Sequence, residues 1–271
     1  MAEKSVKDFY ESFPYPSKHI PSRESLLKNC IWLTKIIGKT PRDFKEGEKI
    51  LEAGCGTGEF SCGFALGKAK VLGIDISENS LRHAKKLAKR FDLENAGFAQ
   101  MDLINNPLQK ESFDYIFCMG VLHHNKNPKE AFSKLVTLLK PKGFIVIGLY
   151  NKYGRIPIAI RRLILSLLAG KDVEKRILLA NRLFYSNKPL TKEKRIWFAD
   201  KYCHPLEKSI SFGEVLLWFR ENNIGFINSK PEFSPSFPRN LSFKGRIRLF
   251  LAQLSWMLSG TSFFTVAGRK K

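Results

Sequence analysis

The stretch Ile50-Leu51-Glu52-Ala53-Gly54-Cys55-Gly56-Thr57-Gly58-Glu59 carries the clearest chemistry in this chain. A short apolar run, Lys49 to Ala53, ends in three glycines at alternate positions, and a helix-compatible segment follows. Glycine at such points lets the backbone turn without a Cβ clash and approach a bound ligand. A strand entering such a loop and then a helix N-terminus makes a nucleotide cradle. The spacing is not G-x-G-x-x-G, because the third position of that pattern falls on Glu59, which argues against NAD or FAD. No Lys-Ser/Thr pair follows, which argues against an NTP-binding P-loop. Further along, His123-His124-Asn125 and the polar run Asp200-Lys201-Tyr202-Cys203-His204-Pro205-Leu206-Glu207 could move protons. His124 and His204 are the candidate bases, with His123, Tyr150 and Tyr202 as groups that hold or orient an acceptor. Adjacent His side chains point apart, so no metal site is expected. Each residue also has a plain reading, as a helix cap or a packed core group.

The elements that would position these residues follow from periodicity. Residues 3–12 and 22–37 read as helices, the second with Leu26, Leu27, Cys30, Ile31, Leu33 and Ile36 on a broad apolar face. Pro14 and Pro16 favour an extended track through Phe9-Tyr10-Glu11-Ser12-Phe13-Pro14-Tyr15-Pro16, whose aromatics, Tyr15 among them, could fold over a ligand mouth. From Lys49 to Tyr150 strands alternate with helices near 58–67, 78–91 and 128–140, with Pro141-Lys142-Gly143 as a stop and turn. About 60 residues, Asn151 to Ile210, then intervene before a helix at 212–221 and a strand at 224–229. Ser234 to Pro238 reads as a short loop, residues 242–258 as a helix, and Ser262 to Gly268 as a final antiparallel strand.

Composition narrows the class. With 271 residues, 44% hydrophobic and 26% charged, the chain can bury a full core. Residues 1–150 hold 23 Lys and Arg against 17 Asp and Glu, whereas residues 151–271 hold 23 against 8. A strongly basic second half suggests an anionic partner, which could be RNA, an acidic lipid surface or an anionic small molecule, or else an ordinary solvated face. The five cysteines (Cys30, Cys55, Cys62, Cys118, Cys203) contain no C-x-x-C pair, and reduced thiols in a cytoplasmic compartment fit them best. No apolar leader is visible at Met1 to Pro16, and no run reaches the ~18 uncharged apolar residues of a membrane span. The expected location is cytoplasmic, with peripheral membrane contact open.

Glu52-x-Gly54-x-Gly56-x-Gly58 resembles the first motif of class I S-adenosylmethionine (SAM) dependent methyltransferases, and the rest of the half-chain keeps their order. Val71 to Ser77 is an apolar strand ending in an acid and a helix cap, and Gln100-Met101-Asp102 closes a third strand. Phe113 to Met119 runs into Gly120-Val121-Leu122-His123-His124-Asn125, and Gly143 to Tyr150 is a fifth strand. The resemblance covers about residues 45–150 and includes the His-containing loop of the small-molecule, quinone and sterol types. It implies an α/β fold, a doubly wound, seven-stranded, mostly parallel Rossmann-like sheet; the segment 151–210, where the family has a short loop and helix, departs from it and is read as an inserted helical lid. The implied division is an N-terminal segment 1–44, a SAM-binding core 45–150, a substrate lid 151–210, and completion of the core with an extra helix over 211–271.

The implied cofactor is SAM. Asp75 would accept both ribose hydroxyls, Ile76 would face the adenine, Met101 would pack on its ring, and Asp102 would accept its amino group. Glu52 would orient the Gly54, Gly56 and Gly58 loop or meet the ammonium, and Cys118, Met119 and Gly120 would end the strand nearest the reactive methyl. The Asn/Asp-Pro-Pro-Tyr/Phe motif of amino-group base methylases and the Pro-Cys of cytosine-C5 enzymes are absent. The leading expectation is methyl transfer to a small or lipophilic acceptor. Two alternatives stand beside it, a tRNA or rRNA methyltransferase using the basic half, and a SAM-binding protein without activity.

Overall fold

The computed structural model describes residues 5–16, 19–232, 243–258 and 260–271; the loop expected at Ser234 to Pro238 lies outside them. The parallel strands are β1 (Lys49–Ala53), β2 (Lys70–Asp75), β3 (Ala96–Gln100), β4 (Phe113–Met119) and β5 (Leu139–Tyr150). Two further strands, β6 (Ile224–Lys230) and β7 (Phe263–Lys270), complete one seven-stranded sheet in the order β3-β2-β1-β4-β5-β7-β6. β7 runs antiparallel to both β5 and β6, as expected for the last strand.

The strand order reverses direction between β1 and β4. Ligands of open α/β sheets sit outside the carboxyl ends of the strands at such a switch point. The glycine loop after β1 and the His loop after β4 both lie there.

Capping explains several helix starts. α1 (Val6–Ser12) opens with a Ser5–Asp8 capping box, and the N-cap of α2 (Arg23–Lys35) is Ser22. α4 (Glu78–Arg90) starts at Ser77, and α5 (Pro128–Leu138) at Asn127 with proline in its first turn. α3 (Glu59–Phe64) is only six residues, shorter than the 58–67 expected. Pro141 to Gly143 does not separate α5 from β5. β5 begins at Leu139, and the register against β4 shifts between Phe113 and Tyr115, so the turn is absorbed as an irregularity within the strand.

Residues 151–210 contain three helices, α6 (Ile156–Ala169), α7 (Val173–Phe184) and α8 (Lys192–Cys203). The ends of this insertion meet: Asn151 bridges Ile210, and Lys152 N–H donates to the Ile210 carbonyl at 3.0 Å. It therefore rises from the sheet at one point and returns there. α9 (Phe212–Glu221) and α10 (Phe243–Leu258) follow.

Apolar side chains cover both faces of the sheet, Phe132 and Ile147 being buried in one cluster and Phe64 and Phe117 in the other. A third cluster lies within the insertion, where Ile177, Phe198 and Tyr202 pack together with Phe9 of α1. The N-terminal helix thus completes the hydrophobic core of the insertion.

Candidate functional site

The glycine loop is stapled to the neighbouring strand. Gly54 and Cys55 N–H groups both donate to the Ile74 carbonyl, at 2.8 and 2.9 Å. Asp75 adds a second tie, its carboxylate accepting from Gly56 N–H at 2.8 Å and from Ser77 N–H at 2.9 Å. Ser77 in turn caps α4 through Ser80 N–H at 3.1 Å. Burial pushes the Asp75 carboxyl up, against these backbone hydrogen bonds that hold it down.

Gly56 could not be another residue without rearrangement. Its φ is +52°, and a Cβ there would stand 2.3 Å from the Tyr15 carbonyl oxygen. That carbonyl accepts from Thr57 N–H at 3.3 Å, so the segment Phe13 to Pro16 lies across the loop. Glu11 reinforces the arrangement, its carboxylate accepting from Glu78 N–H at 2.7 Å and Asn79 N–H at 3.2 Å. An acid at a helix N-terminus is favoured by the macrodipole, and here it docks α1 onto the helix that follows Asp75.

Glu52 is buried and accepts from the Ser61 hydroxyl of α3. Burial raises its carboxyl to about 8, with Glu59 and Asp75 adding to the rise. Near pH 7 this carboxyl is therefore largely protonated in the free protein, and a cation bound beside the loop would favour its ionised form. Ile76 and Met101 are half-buried, and Met101 N–H donates to the Asp75 carbonyl at 3.0 Å. One Asp102 oxygen is occupied by a turn, accepting from Ile104 and Asn105 N–H at 2.9 and 2.8 Å. Cys118 differs from the expectation in its burial. It stands next to the last residue of β4 but is wholly buried in the core cluster with Leu51 and Ile116, where burial pushes its thiol up, whereas Met119 and Gly120 after it are half-buried.

The proton-handling candidates converge from separate elements. His124 and His204 rings stack with centroids 3.7 Å apart, and His123 lies 4.2 Å from both His124 and Tyr150. Asp200 joins them, buried, 3.2 Å from the Tyr10 hydroxyl and 3.5 Å from that of Tyr150. Phe9 and Tyr10 pack on His204 at 4.9 and 5.3 Å. Tyr10 is within electrostatic reach of both Asp75 and Asp200, which places it between the glycine loop and the His cluster. Tyr15 also feels Asp200.

Backbone contacts fix the tautomers. His124 Nδ1 lies 2.8 Å from the Leu206 carbonyl, which can only accept, so Nδ1 carries the proton and Nε2 the lone pair. His204 is the reverse: its Nδ1 accepts from Leu206 N–H at 3.2 Å, and a neutral ring then keeps its proton on Nε2. That Nε2 is buried with no partner, as are both nitrogens of His123. Burial lowers all three imidazoles, His204 to about 2, so each is neutral near pH 7; Asp200 partly offsets the drop at His124. Unpaired buried donors and acceptors are costly, and three such nitrogens fall within this one cluster.

A buried ion cluster lies beside these rings. Arg155 holds Glu207 with two contacts, at 2.9 and 2.5 Å, and Arg162 reaches the same carboxylate at 3.0 Å. The Arg155 guanidinium also sits 3.8 Å from the centre of the Tyr150 ring. Tyr202 is not part of this site; it lies in the helical cluster and shares a 2.8 Å hydrogen bond with the Tyr185 hydroxyl. Tyr10, Asp200, Arg155 and Glu207 are site residues that sequence reasoning did not single out individually. The signals for Tyr10, Asp200 and Glu207 were the aromatic-proline track and the polar run at 200–207, and Arg155 lies in neither. Among the described residues no group of His, Cys, Asp and Glu could hold a metal ion.

A family model described as "Methyltransferase domain" matches residues 44–193. An uncharacterized protein of Synechococcus is 26% identical over 248 residues, covering 83% of this chain and 59% of that one. The ubiquinone biosynthesis O-methyltransferase of Albidiferax ferrireducens is 30% identical over 107 residues, 39% of this chain and 42% of that protein. The chain thus spans about half the length of these curated relatives. A SAM-dependent methyltransferase structure from Mesorhizobium loti superposes with a TM-score of 0.56 at 19% identity, covering 90% of this chain and all of that one, a likeness of fold.

Proposed function

Because the chain belongs to the methyltransferase domain family, we infer that it moves a methyl group from SAM to a small or lipophilic acceptor held under the helical insertion. The observation that carries this reading is the cluster of Tyr10, His123, His124, Tyr150, Asp200 and His204 beside the Asp75-tethered glycine loop. The loop residues fit the cofactor. Asp75 would take the ribose diol, Ile76 and Met101 would flank the adenine, and a bound sulfonium would favour the ionised form of the buried Glu52.

When bound, SAM supplies an electrophilic methyl, and the protein's task is to align the acceptor with it and exclude water. His124, with its lone pair on Nε2, would take a proton from a hydroxyl acceptor, and Asp200 would stabilise the charge that forms. His204 is better suited to donate a hydrogen bond through Nε2–H than to act as a base, since its Nδ1 is occupied and burial weakens its basicity. Residues 151–210 would serve as the substrate lid, and the basic half 151–271 would face an anionic surface. Among the described residues no helix is long and apolar enough to cross a membrane.

The test uses SAM with a labelled methyl, the purified protein and a cell extract, afterwards separated into lipid, small-molecule and RNA fractions. Label in the organic or small-molecule fraction is expected, lowered in His124→Ala with SAM affinity retained. Nuclease-sensitive label in RNA would overturn the acceptor class and favour the reading that the basic half binds RNA.

A further inference from the structure

α6 carries an outer face that its own fold leaves uncovered. Ile156, Ile160, Leu163, Ile164, Leu167 and Leu168 are between 37% and 78% exposed, and no described residue covers them. They recur at helical spacing, whereas Ile158 and Leu165 turn inward to the insertion's core. Single exposed aliphatics are ordinary on protein surfaces, but a contiguous stripe of this length marks an interaction site. At its N-terminal end the stripe continues toward α10, where the exposed Phe250 packs edge-on against Tyr153 at 5.8 Å.

We propose that this face of α6 docks the protein on the surface of an anionic phospholipid bilayer, with the helix lying in the plane of the interface. The proposal rests on the reading of the basic half as facing an anionic surface; it does not depend on methyl transfer.

Length decides the orientation. Fourteen residues span about 21 Å as a helix, short of the ~30 Å hydrocarbon core, so α6 can lie in the headgroup boundary and cannot cross it.

Charge decides the partner. Lys152 precedes the helix and Lys171 and Lys175 follow it, all exposed, while Arg161 lies over the Phe184 ring at the helix flank. The nearby acids are engaged elsewhere, Asp172 capping α7 and Glu174 paired with Arg195. A second copy of this chain would bring the same cations to the contact, with a net charge of +21 on each molecule. An anionic bilayer satisfies both features, offering phosphate to the lysines and acyl chains to the stripe. The insertion that carries part of the His–Tyr–Asp cluster would then rest on the phase in which a lipophilic acceptor dissolves.

The experiment is cosedimentation with phosphatidylcholine vesicles and with equimolar phosphatidylcholine–phosphatidylglycerol vesicles. The protein is compared with Leu163→Gln/Leu167→Gln, two exposed positions outside the site. Expected is binding to the anionic vesicles that weakens with salt, and a fall of roughly tenfold or more in partitioning of the double variant, with an unchanged melting temperature. A Lys152→Glu/Lys171→Glu variant is expected to lose much of the salt-sensitive part. Equal partitioning of parent and double variant, or no binding of the parent to either vesicle, overturns the proposal. So does a parent dimer that the double variant dissolves without any vesicle binding, which would assign the face to a second copy. SAM affinity is measured separately by calorimetry. Vesicle binding without SAM binding would sustain the docking surface while removing the methyltransferase reading.

Discussion

Asp75→Asn separates a ligand-binding role of this acid from a structural one. In the free protein one carboxylate oxygen accepts from Gly56 N–H at 2.8 Å and the other from Ser77 N–H at 2.9 Å. Asn can still serve Ser77 through its carbonyl, but its NH2 group then faces the Gly56 N–H, donor against donor. An orphaned backbone N–H in a buried place costs about 1–3 kcal/mol, so unfolding in denaturant should shift by that amount. The ligand term is separate. Hydrogen bonds to a charged group contribute about 1.5–3 kcal/mol each, and a carboxylate serving two ribose hydroxyls carries two of them. Losing one and neutralising the other should weaken SAM by roughly tenfold to a thousandfold, read by titration calorimetry at neutral pH. Asp75→Ala, which removes both acceptors, should leave no measurable binding. A normal dissociation constant in Asp75→Asn, alongside the expected loss of stability, would refute the assignment and leave Asp75 as a tie between β2 and the glycine loop.

Three further outcomes are expected. Gly56→Ala places a Cβ 2.3 Å from the Tyr15 carbonyl at φ +52°, so the Phe13–Pro16 segment should lift; limited proteolysis there should accelerate and SAM binding weaken, and an unchanged cleavage rate would deny that contact. Arg155→Ala leaves Glu207 buried with only Arg162, and breaking such a pair costs about 3–5 kcal/mol, with the lower end expected because one partner remains; a change under ~1 kcal/mol in chemical denaturation would show the cluster to be dispensable. For pH, burial depresses folded His204 from its ordinary 6.5 to about 2, so the unfolded chain binds the extra proton and stability falls as pH drops below 6.5. Glu52, raised to about 8, acts in the opposite direction between 4.5 and 8, so the comparison is made against His204→Gln; that variant should show a flatter acid limb, and parallel limbs would contradict the buried neutral imidazole.

The cofactor half was legible in the sequence because its signals are local. A strand, a loop and a helix start lie within ten residues of one another at Glu52 to Gly58 and again at Asp75 to Ser77, and glycine spacing and capping residues report their conformation directly. The mostly parallel seven-stranded sheet and the antiparallel β7 followed from the succession of motifs and from the resemblance they carry. The boundaries were less secure where packing overrides propensity, as at Pro141 to Gly143, which the pairing with β4 draws into β5.

The buried His–Tyr–Asp cluster was not legible as a unit. His123, His124 and His204 were visible as residue types, but their convergence depends on an insertion folding back through Asn151 and Ile210 and on α1 packing into its core. Tyr10 and Asp200 stand 190 positions apart in sequence and form one hydrogen bond, and no local pattern predicts a contact across that separation. The same long-range packing took Tyr202 away from the cluster, because its turn of α8 faces Tyr185. The tautomers were beyond sequence too: Leu206 offers its carbonyl to one imidazole and its N–H to the other. Sequence alone determined a nucleotide cradle and the sheet that holds it, since those rest on backbone conformation encoded within a few residues. Only the tertiary structure decided which side chains share the buried cluster and which aliphatics of α6 stay in water, since burial and pairing are properties of the packed chain and not of any segment within it.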